Sequence, residues 1–510
     1  MVENLNKNKT IAKNTIYLYL RMIVSMIISL YTSRAVLDAL GVSDYGIYNI
    51  VGGFVALLNV ITTSLVMGAQ RFITFELGRG DEIRLFRTFA TFSTLFLIMA
   101  VVIFTIASIF GKPFVEHFLV LPKERVGAAL FVFYCSLASF AINLIAVPYN
   151  ACVIAHEKMD FYAIVSIGES FSKLLIVYLL YTTSFDRLQT YAVLLVTVGI
   201  IVRLTYGVYC SKHFKETKST FLIDKTIIKK VFSFSLWMFL GGLVMIAKEQ
   251  GVNVVINLFC GVTINAARGV SMQVSGILNQ FSNSIASAIN PQITKSYAEG
   301  NLSRSINLTF LLTKAQGLLL LIITIPLYFE MNFVLGLWLK DVPYYADIFA
   351  KWVLIITFLT IIRNSYSSFY LASGDVKTLQ WSTSLIYIMI LPLSYFALKM
   401  GFEPVVTMQI TSVIEVLTFA ATYIYLKYKF NFPLGRYLRQ TILPLCIVCL
   451  LTSVSLYVVQ NSFDIDPVAE FFIICTLSIC LTIGTSYLIL LSKNEKKIVI
   501  ELVAKKFNRA

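Results

Sequence analysis

The 510-residue sequence predicts an all-α polytopic membrane protein, and three observations carry that expectation. Hydrophobic residues make up 58% of the chain, whereas Asp, Glu, Lys and Arg make up 14%, well below the roughly 25% charged content of soluble domains. The mean hydropathy is +0.79. Apolar runs long enough to cross a hydrocarbon core about 30 Å thick recur from end to end, and the hydrophilic connections are too short for a soluble catalytic domain. No cleavable signal peptide is expected, because the first apolar run is too long and contains Arg21.

In chain order, helical spans are expected at 14–36, 45–70, 85–111, 127–151, 161–183, 189–211, 231–259, 264–291, 305–330, 346–372, 379–399, 404–427, 438–460 and 467–491. With the N-terminus inside, the inner segments carry 27 Lys and Arg and the outer loops six: Lys112, Lys123, Arg125, Arg187, Lys340 and Lys399. Positive residues favour the cytoplasmic side, so both termini are expected there. The same asymmetry accounts for the net charge of +15 without nucleic acid.

An ungapped repeat lies at an offset of 220 residues: positions 41–80 match 261–300 at Gly41/Gly261, Val42/Val262, Leu58/Leu278, Asn59/Asn279, Ser64/Ser284, Ile73/Ile293, Thr74/Thr294 and Gly80/Gly300. Six spans separate the copies, so both have one orientation. Two six-helix lobes related by a parallel repeat are therefore expected, with substrate bound near the midplane, plus a C-terminal helix pair. The expected organisation is an N-lobe over 1–211, a basic linker over 212–230, a C-lobe over 231–428, the helix pair over 429–491 and a basic tail over 492–510.

Nine cations fall inside apolar spans: Arg21, Arg34, Lys173, Arg203, Lys248, Arg268, Lys314, Lys351 and Arg363. Each costs roughly 3 kcal/mol at the bilayer centre, so they must meet water, acids or an anionic substrate. Glu169 and Lys173 have i,i+4 spacing with Glu first, which favours pairing, and Asp347 and Lys351 share that spacing. Arg34 and Arg203 lie near helix ends, where snorkelling competes with a cavity role. On the eighth span Arg268 shares a polar stripe with Ser275 and Asn279, ended by Pro291; on the first, Arg21 shares one with Ser25. On the second span Tyr48 and Asn59 share a face, and Tyr48 is the repeat partner of Arg268. Such stripes serve either a cavity or helix–helix hydrogen bonding.

Lys248 and Glu249 point about 100° apart, so one of them is expected to address the cavity. Arg363 and Lys314 are further candidate cavity cations, and Glu249, Glu169 and Glu415 are candidate coupling acids. Arginine binds two phosphate oxygens at once, and Asn, Ser and Tyr suit hydroxyl-rich sugars. The residues thus fit a phosphate-bearing glycan better than an organic cation. Cys446 and Cys449 form a lone C-x2-C in an apolar span, and His117, His156 and His213 are scattered. No metal site or cofactor is expected from them.

The segment Leu40-Gly41-Val42-Ser43-Asp44-Tyr45-Gly46-Ile47-Tyr48, the stretch from Pro291-Gln292-Ile293 to Ala298-Glu299-Gly300-Asn301, and Ala372-Ser373-Gly374-Asp375 resemble motifs of one superfamily. It is the multidrug/oligosaccharidyl-lipid/polysaccharide (MOP) flippases, and within it the O-antigen and capsule repeat-unit flippases (Wzx-type). The resemblance implies a cationic cavity and alternating access that moves an undecaprenyl-diphosphate-linked oligosaccharide to the periplasmic leaflet of a bacterial inner membrane. It further implies that Arg21, Arg34 and Arg268 contact the substrate and that the last two helices help form a groove for the lipid tail. Its implied partners are membrane lipids and polysaccharide polymerase and chain-length machinery. No covalent chemistry follows; an ion or proton gradient or the membrane potential would drive the cycle. A cation- or drug-antiporting exporter of the MATE type, or a polysaccharide polymerase or ligase, are the alternatives. The embedded cations count against the first and the short outer loops against the second.

Overall fold

The computed structural model describes the backbone of residues 2–57, 59–117, 123–218, 221–339, 342–462, 466–492 and 495–496. Side chains are described from residue 13 onward, except at scattered positions within 30–64, 114–123 and 262–266. The chain is almost wholly α-helical. Ten helices among the described residues are long and apolar enough to cross a membrane, and they coincide with ten of the expected spans. Helical structure suits a bilayer because it satisfies every backbone N–H and C=O within one segment.

The helices are α1 (residues 2–40), α2 (42–57 and Asn59–Arg79), α3 (Glu82–His117), α4 (Val126–Ala155), α5 (Met159–Thr182) and α6 (Arg187–His213). They continue with α7 (Lys225–Gly261), α8 (262–298), α9 (Leu302–Phe329) and α10 (Ala346–Ser373), the last preceded by a short helix, Met331–Trp338. The remainder are α11 (Lys377–Lys399), α12 (Val406–Phe430), α13 (Leu434–Ser462) and α14 (Pro467–Leu490). Starts are set by acidic caps: Asp186 accepts from the Gln189 amide, Asp224 from those of Thr226 and Ile227, and Asp466 from that of Val468, with Pro467 in the first turn.

Three expected boundaries differ. The sequence suggests connections at 37–44 and 260–263, yet helix continues to a single glycine in each place. Gly41 has φ 76° and ψ 167°, and Gly261 has φ 80° and ψ −178°. That region is open essentially only to glycine, so one residue suffices to turn the chain between two helices. Pro291 was expected to end the eighth span, but α8 runs through it to Ala298. The missing N–H frees one carbonyl, which long membrane helices tolerate when neighbours satisfy it.

The chain forms two compact units. Unit 1 contains Met1–Leu243, Ser287–Leu302 and Leu371–Val376; unit 2 contains Val244–Ala286, Ser303–Tyr370 and Lys377–Ala510. In unit 1, Phe89, Phe92, Phe96, Phe133 and Leu137 of α3 and α4 form a core with Val36, Ile47 and Val51 of α1 and α2. At the end expected to face outward, Arg125 pairs with Asp44 and Asp186 (2.5 Å to the latter), tying three helix junctions to one guanidinium. In unit 2, α9 and α10 meet α13 and α14 through Leu321, Ile362, Leu445, Val448, Leu456 and Ile474. Gly317 makes this approach possible, since a Cβ there would stand 2.6 Å from a Leu445 methyl.

Candidate functional site

Unit 2 holds a buried charge cluster centred on one carboxylate. Glu415 of α12 is fully buried and receives three side chains: Lys248 at 3.4 Å, the Tyr387 hydroxyl at 2.8 Å and Arg363 at 3.8 Å. The two cations also lie over the Tyr387 ring, at 4.7 Å for Lys248 and 5.7 Å for Arg363. Two cations share one carboxylate, so the cluster is cationic as it stands. Of the adjacent Lys248 and Glu249, the lysine turns inward to 8% exposure and the glutamate outward. Arg363 lacks an acid at i±4, but α12 supplies one across the helix packing. Glu415 is thus a salt-bridge partner in this structure.

Arg268 of α8 is 4% exposed. Its Nη1 donates to the side-chain oxygen of Asn253 and, at 3.2 Å, to the Glu249 carbonyl; its Nε has no acceptor. Among the described residues it forms no ion pair. Below it on the stripe, Asn279 donates to the Ser275 carbonyl at 2.9 Å, and Ser275 bonds Thr357 of α10 at 2.8 Å. Gln316 of α9 joins Ser282 (2.6 Å) and Ser365. These neutral groups spend their bonds on one another, which leaves Arg268 the charged member of its stripe. Lys314 is 7% exposed and reaches Glu495, beyond α14, at 2.9 Å.

In unit 1, Arg21 of α1 donates to the Tyr162 hydroxyl at 3.0 Å and lies 4.9 Å from that ring, with a buried Nε lacking an acceptor. It too forms no ion pair among the described residues. Ser170 donates to Ser25 at 3.2 Å beside it. Glu169 and Lys173 pair at 2.6 Å, both partly exposed. Tyr48 packs edge-on against Tyr191 with ring centres 5.1 Å apart. The side chains of Arg34 and Asn59 lie outside the described residues. Arg203 faces the Tyr149 ring at 3.9 Å, and Lys351 lies 5.9 Å from the Tyr328 ring.

Three groups escaped the sequence reading. Arg71 of α2 donates to the carbonyls of Leu371 (3.0 Å) and Ala372 (3.1 Å), with the Phe72, Phe75 and Phe234 rings about its guanidinium. Gly374 makes room, because a Cβ there would stand 2.3 Å from the Arg71 fork. Glu157, at the α4–α5 turn, accepts from Lys295 at 2.6 Å and Gln292 at 2.5 Å of the α8 end. Its φ of 59° is unusual for a residue other than glycine. Third, Cys152, His156 and Glu216 place their donor atoms within 4.8 Å of one another. The sequence led us to expect no metal site from the cysteines and scattered histidines, and α4 and the turn after α6 bring these three together. Distance in sequence hid all three groups. The local signals were the glycine of the Ala372–Asp375 motif and the i,i+4 spacing of Cys152 and His156.

A groove in unit 2 is apolar, lined by Leu321, Ile325, Tyr328, Phe329, Phe358 and Cys449 of α9, α10 and α13 among others.

The sequence matches no protein-family model and no curated protein. The fold resembles solved transporters. Against a single-residue mutant of the Vibrio cholerae MATE transporter VcmN, the TM-score is 0.67 at 12% identity, covering 85% of this chain and 99% of that one. Against a MOP superfamily transporter from Pyrococcus furiosus, described as having a binding pocket of reverse polarity that suggests a different function, it is 0.60 at 13%, covering 83% and 96%. Against a MATE transporter in its straight conformation it is 0.64 at 14%, covering 83% and 96%. Such low identities establish a shared fold, and the chain is therefore an all-α membrane protein with a MATE-like fold.

Proposed function

We propose that this protein is a flippase that moves a lipid-linked oligosaccharide, carried on undecaprenyl diphosphate, from the cytoplasmic to the periplasmic leaflet by alternating access. The observation that carries the reading is that four cations within the spans meet a single acid among the described residues. Lys248 and Arg363 share Glu415, while Arg268 and Arg21 are held by neutral oxygens and rings. A membrane protein that keeps such groups at roughly 3 kcal/mol each retains them for an anion, and a diphosphate offers the paired oxygens a guanidinium fork binds best. The apolar groove along α9, α10 and α13 supplies a surface suited to a polyprenyl tail. The reversed pocket polarity of the Pyrococcus furiosus transporter is a precedent for this fold with an altered substrate charge.

A cation or drug antiporter would need acids facing its substrate, whereas the buried Glu415 is already outnumbered by cations. In cells, Arg21→Ala and Arg268→Ala should each leave the protein folded at normal abundance and cause the lipid-linked oligosaccharide to accumulate in the cytoplasmic leaflet. Full export in both variants, or drug efflux by the wild type, would reject the assignment. The cycle would draw on a proton or ion gradient or the membrane potential, and proton flux in liposomes with Glu169, Glu249 or Glu415 changed to Gln identifies any coupling acid.

A further inference from the structure

We propose that Cys152, His156 and Glu216 form a binding site for a thiophilic divalent cation of the zinc class, joining the ends of α4 and α6. The proposal is independent of the transport reading. Cys152 and His156 are four residues apart at the end of α4, so one helical turn places both on one face. Glu216 comes from the short turn Lys215–Thr217 that follows α6. The Cys152 Sγ lies 3.4 Å from the Glu216 carboxylate and the His156 Nε2 lies 2.5 Å from the same oxygen.

Zinc ligands stand about 2.0–2.3 Å from the metal, which sets neighbouring donors roughly 3.3–3.8 Å apart in a tetrahedron. The thiol–carboxylate separation already has that value. The His156–Glu216 contact must open by about 1 Å for a cation to sit between the two atoms. A thiolate, an imidazole and one carboxylate favour zinc over calcium or magnesium, which take oxygen ligands. Binding releases the thiol proton to solvent, and a proton on His156 Nε2 moves to Nδ1 or, from an imidazolium, to solvent.

The surroundings are built rather than accidental. Cys152 is fully buried and Glu216 is 7% exposed. The Phe214 ring stacks on His156 at 4.0 Å and 11°, fixing the imidazole plane. The next residue, Glu157, is the one at φ 59° that holds Gln292 and Lys295. A cation at the cluster would therefore stiffen the turn that presents Glu157 to the end of α8.

The test uses the full-length protein in detergent, stripped with a chelator and titrated with Co2+ alone, then with Zn2+. The expected result is one bound equivalent showing a thiolate-to-cobalt charge-transfer band that Zn2+ abolishes. Cys152→Ser should lose the band. Glu216→Gln should weaken binding at least tenfold, since losing even an outer-shell partner costs about 10–100-fold. Cys446→Ser/Cys480→Ser, which removes two exposed thiols elsewhere, should bind as the wild type does. Absence of a thiolate band in the wild type, or its persistence in Cys152→Ser, would overturn the site. The wild-type readout does not depend on any variant folding.

Discussion

Residues 41–80 and 261–300 begin and end on glycines with matching backbone, Gly41 beside Gly261 in type and Gly80 (φ 72°) beside Gly300 (φ 78°), yet their side chains have parted. Where the first copy has Tyr48, packed on Tyr191, the second has Arg268, buried against Asn253 and the Glu249 carbonyl. The glycines at both ends stay alike, where the positive φ favours glycine, together with six other matched positions. The positions that changed carry the charge. The turns from α1 to α2 and from α7 to α8 thus share one backbone geometry, while the helix faces beyond them differ. A Cβ on Gly78 would stand 2.8 Å from the Lys295 backbone and 3.0 Å from the Cβ of Ala298, its own repeat counterpart.

The largest expected effect is electrostatic and sets one unit against the other. Glu415→Leu strands Lys248 and Arg363 without their carboxylate, and should cost about 3–5 kcal/mol, read as a lowered melting temperature and poor yield. Glu169→Leu, which breaks the partly exposed Glu169–Lys173 pair, should cost at most about 1 kcal/mol. Equal losses would dissolve the distinction between a buried network in unit 2 and a surface-like pair in unit 1.

The glycines should respond alike in both copies. Gly41→Ala and Gly261→Ala each force a side chain into a region that costs about 1–3 kcal/mol, so their destabilisations should agree within error in the same melting assay. A harmless change at one of them would show that the copies no longer share this turn. Gly78→Val should cost about 1–3 kcal/mol by overpacking, because the added atoms meet the Lys295 backbone at 2.8 Å. Gly80→Ala has open space around it and should report backbone strain alone.

The smallest expected effect is with pH. Burial pushes the Asp186 carboxyl upward, but the Arg125 guanidinium and the Gln189 amide outweigh it and hold the group below its ordinary value. A depressed folded value means its contribution is present above the unfolded value near 3.9 and is lost as pH falls through the folded one. Asp186→Asn should therefore flatten the acid limb of the stability profile. An unchanged limb would show that the Arg125 clamp adds nothing there.

Much of the architecture was legible because a bilayer imposes it: the long apolar runs of the sequence coincide with ten helices able to cross a membrane. The motifs that carried the family resemblance turn out to hold the fold. Asp44 binds Arg125, Gln292 binds Glu157, and Gly374 leaves space for Arg71. None of these contacts touches Arg268 or Arg21, which explains why such motifs indicate a fold and say nothing of a sugar. The candidate site was legible only as single residues. Helical periodicity placed Arg268 with Ser275 and Asn279, but nothing local announced that Glu415, 167 positions from Lys248, would lie between Lys248 and Arg363. The Cys152–His156–Glu216 cluster was missed for the same reason, since it closes only when α4 and α6 pack.

The central claim is that buried arginine draws a diphosphate glycolipid across the membrane. Proteoliposomes loaded with a fluorescent polyprenyl-diphosphate oligosaccharide report its leaflet directly through a membrane-impermeant quencher. Wild-type protein should carry the lipid across, Arg268→Ala should abolish transfer, and Arg268→Lys should restore part of it, since lysine keeps the charge without the fork. Transfer by Arg268→Ala at the wild-type rate would contradict the account.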